Sequence, residues 1–313
     1  MPVTLVHERN PAYKALSHTD ITGKLTPHEI DRMIYEELRA ENYIRENCPR
    51  KADQRGEAYR VNRRSARPAP EWIADTGTFT AVESTYDATT EFPFKTLGVR
   101  LEITRKAQAE GRGLVDLAAE EVEAAAKALR QEEEDCFLNG NVGTNALKFS
   151  GLNTVLNNAA YITSMGTNGG ALTAAKLDEA VDETHGSQQG LNGAMLCHYR
   201  TGREIAAVLA AKQRYNDRAE VRGGFRVRAY DDVPIFPTER ESITRTQGTS
   251  SVASNLYIVT WDSVFYGVLT ELQTYTMAQV TSQYMAFEIV EDLVLVISNR
   301  KRARILQGII PPS

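Results

Sequence analysis

The spacing of apolar residues changes along the chain, and the first sustained spacing is helical. Thr26-Pro27-His28-Glu29 has the form of a helix start. The threonine hydroxyl can accept hydrogen bonds from the backbone amides of the first turn, and proline fits the first helical position. The glutamate side chain can reach back to the backbone amide of the cap residue. Apolar residues then recur every four positions from Ile30 to Leu38. The pattern predicts an amphipathic helix that ends at Cys48-Pro49, preceded by an extended arm over residues 1–25.

The longest helical pattern runs from Leu114 to about Leu138 and contains no Gly or Pro. Its apolar face is formed by Leu114, Ala118, Val122, Ala125, Leu129 and Cys136. Roughly 25 residues in a helix span about 37 Å, which is long for a globular protein. Asn139-Gly140 follows and predicts the end of the helix at that point.

Strand and loop signals follow one another over residues 66–106 and predict a hairpin. Thr78–Val82 and Thr85-Tyr86 have the composition of strands, and Phe92–Ile103 alternates apolar and polar residues in its second half, as a half-buried strand does. The predicted tip is long, polar and rich in threonine. Because a long two-stranded ribbon is marginal in isolation, we expect this one to lie on another surface, which is a first indication of assembly.

Beyond residue 150 short helices and strands alternate. The predicted helices are 173–184 and one that begins at a second capping box, Thr201-Gly202-Arg203-Glu204. The predicted strands are 194–198, 226–228, 233–236, 256–260, 264–270, 272–280, 287–297 and 302–309, the last two as a pair that turns at Ser298-Asn299. The predicted fold class is α+β, with no regular βαβ alternation and no internal repeat.

The composition places the chain among globular proteins. Its 313 residues are 42% hydrophobic and 25% charged, and no apolar run is long enough to span a membrane. The three cysteines, Cys48, Cys136 and Cys197, are far apart and form no CxxC pair, which argues against a disulfide framework and for synthesis in a reducing compartment. A net charge of −5 argues against a dedicated nucleic-acid binder.

Charge is nevertheless concentrated in two segments. Residues 45–67 contain eight basic and three acidic residues, whereas residues 114–138 contain eight acidic and two basic residues. The acidic run Glu132–Asp135 lies at the carboxyl end of the predicted long helix, where it opposes the helix dipole. Two interpretations are open for each segment: a solvated face, or a contact surface for a neighbouring chain or, for the basic segment, for phosphate.

The sequence contains no recognisable catalytic motif. There is no GxxxxGK[ST] loop, no GxSxG elbow and no HExxH pair, and the five histidines lack the spacing of metal ligands. Cys197-His198 would point to opposite faces of a strand, which disfavours joint ligation. We therefore expect no catalytic, cofactor or metal site. The alternative is a soluble enzyme with a carboxylate site around Asp231 or Glu204, although Asp231-Asp232 more simply forms a turn.

Four segments, in this order, resemble a known family. They are Phe92-Pro93-Phe94-Lys95-Thr96-Leu97 followed by Thr104-Arg105, the block Glu132–Gly140, the turn Phe149-Ser150-Gly151-Leu152-Asn153, and Val233-Pro234-Ile235-Phe236-Pro237-Thr238. Over about residues 66–310 the chain resembles the major capsid protein of tailed bacteriophages with the Hong Kong 97-type fold. No single motif decides the match; the order and spacing together carry it.

The resemblance implies a domain organisation. It assigns an N-terminal arm with a helix to 1–56, an extended loop to 57–101, a peripheral domain with the spine helix to 102–190, an axial domain to 191–280, and a C-terminal return to the peripheral domain to 281–313. It also implies self-assembly into hexamers and pentamers that form an icosahedral shell around double-stranded DNA.

The resemblance further implies partners and a location. The expected partners are further copies of the chain, a portal, a separate scaffolding protein, a cementing protein and, non-specifically, the packaged DNA, with no membrane. The expected location is the virion capsid, with synthesis and assembly in the host cytoplasm. We expect separate scaffolding because the arm and the extended loop use the residues ahead of Leu114.

One departure from the family concerns covalent links. Some members join a lysine of the extended loop to an asparagine on a neighbour, but here no lysine lies between Arg67 and Glu91, and Lys95 falls in the returning strand. We therefore expect no self-catalysed cross-links.

Candidate contact residues between subunits follow from the charge segments and the ribbon. We expect Arg60, Arg63, Arg64 and Arg67 to pair with Glu132, Glu133, Glu134 and Asp135 of a neighbour, and the apolar side chains Trp72, Phe79, Phe92 and Phe94 to carry the affinity. Two other hypotheses are an encapsulin-type compartment, which shares the fold, and a DNA-binding module in residues 45–67.

Overall fold

The computed structural model describes residues 43–52, 54–111, 117–185, 192–211, 218–220, 226–231, 233–277 and 283–311. The predicted arm and the start of the first predicted helix therefore lie outside the described residues. Within the predicted range of that helix the structure describes a short helix, Tyr43–Asn47, after which Cys48 donates its amide to the carbonyl of Ile44 at 2.8 Å, immediately before Pro49. The predicted end at Cys48-Pro49 is confirmed.

The described residues form six α-helices: α1 (Tyr43–Asn47), α2 (Arg105–Gly111), α3 (Leu117–Asn139), α4 (Leu152–Val155), α5 (Ala174–His185) and α6 (Tyr199–Ala211). Two 3₁₀ turns occupy Ala159–Tyr161 and Arg300–Arg302. None of the helices in this part of the chain has the length and apolar character that a membrane crossing requires.

Helix α3 is the long helix that the sequence predicts. It ends at Asn139, where the amide of Gly140 donates to the carbonyl of Cys136 at 2.9 Å. Ala125 and Leu129 on the predicted apolar face are buried, as is Cys136. The end and the face are confirmed, while the predicted start at Leu114 lies outside the described residues.

Helix α6 begins two residues before the predicted cap at Thr201, and the predicted capping box is wrong. The ring nitrogen Nδ1 of His198 accepts the amide of Arg200 at 3.1 Å and caps the helix instead. Thr201 then lies in the first turn with its side chain fully buried. The Glu204 carboxylate faces another segment, where it accepts the Leu172 amide at 2.6 Å.

Sixteen strands are described. They are β1 (Arg50–Lys51), β2 (Ala58–Val61), β3 (Arg64–Ala66), β4 (Thr85–Tyr86), β5 (Thr90–Pro93), β6 (Lys95–Thr104), β7 (Ile162–Ser164), β8 (Gly193–Cys197), β9 (Arg218–Glu220), β10 (Arg226–Tyr230), β11 (Val233–Pro237), β12 (Arg245–Gln247), β13 (Ser250–Thr260), β14 (Val264–Thr276), β15 (Tyr284–Ile297) and β16 (Ala303–Ile309).

The strands form two larger sheets and two short ladders. The four-stranded sheet has the order β1-β14-β15-β6, and the eight-stranded sheet has the order β7-β16-β13-β8-β11-β10-β9 with β12 paired to β13. The ladders β2-β5 and β3-β4 form a separate ribbon. Most strand pairs for which the register is described are antiparallel, and helices and strands do not alternate regularly along the described residues, so the α+β prediction is confirmed.

Several predicted strands are confirmed and two predictions are wrong. Strand β8 is buried along its whole length, and β6 alternates between exposed and half-buried positions. However, 264–270 and 272–280 are not two strands, because β14 runs without a break to Thr276. The final two strands, β15 and β16, do not pair with each other, since they belong to different sheets and a 3₁₀ turn separates them.

The chain divides into two compact units, each with a core of its own. The described residues of the first unit lie within 96–133 and 270–292, and those of the second within 43–95, 134–269 and 293–311. The core of the first unit centres on Ala125, Leu129 and Ile289. The second unit has a larger core, in which helices α5 and α6 pack on the eight-stranded sheet through residues such as Leu177 and Ile205. The predicted five-part domain division stays a prediction.

All three cysteines are free and buried, in agreement with the expectation that they form no disulfide framework. Burial raises the pKa of the Cys197 thiol to about 12, and the charge of Glu241 adds to the effect. This thiol is therefore protonated and unreactive at neutral pH.

Candidate functional site

The second unit carries a two-stranded ribbon formed by residues 58–93, which is exposed over most of the stretch from Arg64 to Thr89. Strand β2 pairs with β5 from Ala58 opposite Pro93 to Val61 opposite Thr90, and β3 pairs with β4 further out. Residues 67–84, here called the ribbon tip, contain no regular secondary structure. The ribbon is the candidate functional site because it extends beyond the core.

The predicted strand Thr78–Val82 is wrong, and the outgoing strand of the ribbon lies elsewhere. It consists of β2 and β3, within the basic segment that the sequence indicates only as a charge cluster. Residues 78–82 are exposed and face no partner strand within the described residues. Alternation alone cannot define a strand, since a strand also requires a neighbour to pair with.

Two arginines of the outgoing strand contact the returning strand. Arg60 Nε lies 2.8 Å from Glu91 Oε1, directly across the ladder. The guanidinium of Arg64 lies 5.3 Å from the centre of the Tyr86 ring and donates to its hydroxyl at 3.0 Å. These predicted contact residues therefore act first as cross-strand pairs within one chain, and the exposed Arg60 pair contributes only about 0–1 kcal/mol.

Arg63 fixes the base of the ribbon. Its Nε donates to the carbonyl of Ser298 at 2.8 Å, Nη2 donates to the carbonyl of Ile297 at 2.6 Å, and Nη1 donates to the hydroxyl of Thr90 at 2.5 Å. Burial lowers the pKa of Arg63, and the nearby charge of Arg300 lowers it further. The planar guanidinium thus links both strands of the ribbon to the turn after β15.

The ribbon tip has internal order but buries little. The Glu71 carboxylate accepts the amide of Thr80 at 3.1 Å, and Gly77 donates to the carbonyl of Ala74 at 2.8 Å. Trp72 is fully exposed, and the exposed apolar side chains of the tip also include Ile73, Phe79 and Val82. Such a cluster at the end of a ribbon indicates a contact surface, and it contains two of the predicted contact residues.

The other two predicted aromatic contacts lie inside the unit. Phe92 is buried, and Phe94 is half-buried, with its ring 3.5 Å from where a Cβ on Gly267 would lie. Phe92 therefore contributes to the base of the ribbon and exposes little of its own surface. The sequence misplaced it because alternation does not show which face of the returning strand is covered.

The acidic run at the end of α3 is only partly exposed. Glu133 and Glu134 are 1% and 3% exposed, and Glu134 accepts a hydrogen bond from the Thr238 hydroxyl at 3.1 Å. Asp135 is half-buried and accepts from Asn139 Nδ2 at 3.0 Å. The prediction that Glu133 and Glu134 face a neighbouring chain is therefore wrong for this fold, because the helix end lies in the interior. Arg67 remains exposed, with no ion pair among the described residues.

A buried polar network beside this helix end is invisible in the sequence. Arg245 contacts both carboxylate oxygens of Glu241, at 2.6 and 2.8 Å, and donates to Asn139 Oδ1 at 2.5 Å and to the Tyr257 hydroxyl at 3.1 Å. Burial raises the pKa of Glu241 despite the opposing effect of Arg245. The network joins the end of α3 to β13 and stabilises their arrangement if every member keeps its partner.

Two glycines after α3 pack backbone against backbone. Gly151 donates its amide to the carbonyl of Gly140 at 2.8 Å. A Cβ on Gly151 would lie 2.4 Å from the Cys136 carbonyl oxygen, and a Cβ on Gly140 would lie 2.4 Å from the Phe149 carbonyl oxygen. The close approach explains physically why the Phe149–Asn153 motif needs its glycine.

The two carboxylates considered for an enzyme site have local structural roles. Asp231 occupies the predicted turn between β10 and β11 with φ of 50°, and the side chain of Asp232 lies outside the described residues. Glu204 holds the Leu172 amide, as described above. Within the described residues, no group of three or more His, Cys, Asp or Glu side chains could hold a metal ion.

Comparison with known proteins identifies the family. The profile of the phage capsid family matches residues 22–222, which is more than half of the chain. A comparison with curated protein sequences gives no match.

Solved structures with the same fold include both capsids and a compartment shell. The holo-SrpI encapsulin complex from Synechococcus elongatus PCC 7942 has a TM-score of 0.70 at 11% identity, covering 95% of this chain and 97% of that chain. The capsid of cyanophage A-1(L) has a TM-score of 0.69 at 11% identity, covering 94% and 100%. The capsid of a native GTA particle has a TM-score of 0.66 at 13% identity, covering 94% and 100%.

The family match, the fold and the exposed ribbon all fit a capsid protein. The chain belongs to the phage capsid family, has the Hong Kong 97-type fold, and is a structural protein of the capsid type.

Proposed function

We propose that the chain is the major capsid protein that builds hexameric and pentameric capsomers, and that these form an icosahedral shell around double-stranded DNA. The observation that carries the proposal is the ribbon tip, where a fully exposed tryptophan and further apolar side chains stand beyond the core. A lone subunit leaves this surface in water, whereas a symmetric assembly buries it at every repeat.

The mechanism is interface burial repeated by symmetry, without a catalytic step. The ribbon of one subunit lies on its neighbour, and apolar contacts of the tip supply most of the affinity. Arg67 is available for an ion pair that sets the register. The Arg63 hydrogen bonds support this role, because a ribbon with a fixed base loses less conformational freedom on binding.

The proposal includes further partners. They are a portal, a separate scaffolding protein and a cementing protein, with non-specific contact to the packaged DNA and assembly in the host cytoplasm. A cementing protein would supply contacts that other members obtain from covalent links, since the stretch between Arg67 and Glu91 contains no lysine.

Size-exclusion chromatography and negative-stain electron microscopy of the purified full chain test the proposal. We expect large assemblies, seen as rings or closed particles. A compact monomer or dimer at all protein concentrations, with scaffolding protein present or absent, would contradict it.

An encapsulin-type compartment is the second candidate, favoured by the similarity to the solved encapsulin. The contents of particles from the native source distinguish the two functions. Nuclease-protected double-stranded DNA of uniform length supports the capsid, whereas particles that contain a cargo protein and no DNA support the compartment.

A further inference from the structure

A pocket lies at the base of the ribbon. Its volume is about 260 Å³, its apolar walls include Phe92, Phe149, Val155 and Leu295, and the cationic residues Lys95 and Arg300 line it as well. This space, here called the ribbon-base pocket, is smaller than the pockets that take drug-sized ligands and suits one large side chain.

The two cations of the ribbon-base pocket are not neutralised within the described residues. Lys95 Nζ donates to the carbonyl of Ala146 at 2.8 Å, and the buried Nε of Arg300 has no hydrogen-bond partner there. The acidic residue of the lining, Glu91, already pairs with Arg60. A buried, unpaired donor on a cation is costly, so the pocket favours an occupant that brings a negative charge together with apolar surface.

The ribbon tip has that chemistry. Beyond Arg67 it contains three acidic residues and no basic one, and its exposed side chains include Trp72 and Phe79. The acidic residues are Glu71, Asp75 and Glu83. Charge and apolar character of the tip are therefore complementary to those of the pocket.

The tip that enters the pocket belongs to a second copy of the chain. Trp72 is fully exposed in the structure, so the tip of a chain does not occupy the pocket of that same chain. A contact between different surfaces of two copies is heterologous, and repetition of such a contact around an axis gives a closed ring.

We propose that the ribbon-base pocket of one copy receives the ribbon tip of the next, with Trp72 against the apolar wall and a tip carboxylate facing Lys95 and Arg300. The inference rests on the proposed function and identifies the receiving surface of the ribbon contact.

A cysteine pair tests the contact directly. Val142 lines the pocket and is 39% exposed, and the native cysteines are all buried, so background cross-linking is low. The full chain with Trp72→Cys and Val142→Cys is assembled at a protein concentration raised far enough to offset the loss of the tryptophan, oxidised mildly and run on a non-reducing denaturing gel. We expect a ladder of covalent oligomers, while each single variant gives mainly monomer.

Three outcomes overturn the proposal. Particles of the double variant that dissolve to monomers with free thiols show that tip and pocket do not meet. A monomer-sized band without free thiols shows that the ribbon occupies its own pocket. A ladder from Trp72→Cys alone shows that tips contact tips.

A double-mutant cycle supplies an independent readout. Trp72→Ala and Arg300→Gln are each expected to raise the protein concentration needed for assembly at least tenfold, and the double variant no more than about twofold beyond the larger single effect. Val252→Ala removes an exposed apolar side chain elsewhere and is expected to change nothing.

The pocket contact is overturned if the two single effects on the concentration needed for assembly multiply in the double variant. It is also overturned if Arg300→Gln assembles normally in pure protein, and that result indicates a partner protein as the occupant of the pocket. Failure of the unmodified chain to assemble contradicts the proposed function instead, so the two failures are distinguishable.

Discussion

At the scale of single residues, Glu204 shows how a buried carboxylate can supply a needed hydrogen bond and still lower stability through its buried charge. Its Oε1 accepts the Leu172 amide at 2.6 Å, while Oε2 is buried without a hydrogen-bond partner in the described part of the chain. Burial raises the pKa of Glu204, although the Leu172 amide opposes the shift. The folded-state pKa therefore exceeds the unfolded value of about 4.3, and the stabilising contribution of the protonated form is lost as pH rises through the folded-state pKa.

Replacing Glu204 separates its hydrogen bond from its charge. Glu204→Gln keeps an acceptor for the Leu172 amide, and we expect equal or higher thermal stability than the unmodified protein at pH 7. Glu204→Ala leaves the amide unpaired and lowers the free energy of unfolding by about 1–3 kcal/mol. Thermal denaturation of unassembled protein at pH 5 and pH 7 measures both. A glutamine variant that is as unstable as the alanine variant at pH 7 would contradict this account.

Gly151 is a second position at which the addition of one atom is expected to change the stability of the fold. Gly151→Ala would place a Cβ 2.4 Å from the Cys136 carbonyl oxygen and 2.7 Å from that of Phe137, both backbone atoms that cannot rotate away. We expect a loss of about 1–3 kcal/mol in the free energy of unfolding, measured in urea.

Gly202→Ala is the matched control for Gly151→Ala. Gly202 lies inside helix α6, and its added Cβ would meet nothing closer than 3.7 Å. Because alanine is a better helix former than glycine, this variant should be neutral or more stable. Equal losses in both variants would show that the backbone contact at Gly151 is not the cause.

At the scale of elements, the sequence predicts those parts whose periodicity agrees with their burial. The long helix, the buried strand β8 and the alternating strand β6 are of this kind. The outgoing strand of the ribbon was missed because Ala58–Ala66 is rich in arginine and owes its strand structure to pairing with β4 and β5. The start of α6 was misplaced because a histidine, not the threonine, caps it.

The anchoring of the ribbon by Arg63 gives a prediction at this scale. Arg63→Ala removes hydrogen bonds to Ile297, Ser298 and Thr90. We expect trypsin to cleave the ribbon of the unassembled variant several-fold faster, because the base is no longer held to the turn. Arg60→Ala, which also removes one trypsin site but only an exposed ion pair, is the control and should be cleaved at nearly the original rate. Equal rates for the two variants would contradict an anchoring role.

At the scale of the whole molecule, the order of motifs predicts the family and the fold, but not the contacts that connect distant segments. Arg245 and Asn139 are 106 positions apart, and their hydrogen bond leaves no periodic signal in the sequence. The same holds for the ribbon-base pocket, whose lining comes from three separate stretches of the chain. The inward orientation of Glu133 and Glu134 could not be predicted either, because charge alone indicates solvent.

If the chain builds the proposed shell, we expect its strength to come from burial rather than from covalent links, and this gives the last prediction. The stretch between Arg67 and Glu91 has no lysine, while Lys95 donates to the carbonyl of Ala146 in its own chain. Purified particles boiled in denaturant with reducing agent should therefore give a single band at the mass of one subunit. Because each exposed ion pair contributes only about 0–1 kcal/mol, particles should survive high salt and yet dissociate when the apolar contacts of Trp72 and Phe79 are removed together. A ladder of covalent oligomers from unmodified particles would mean that another lysine forms the links.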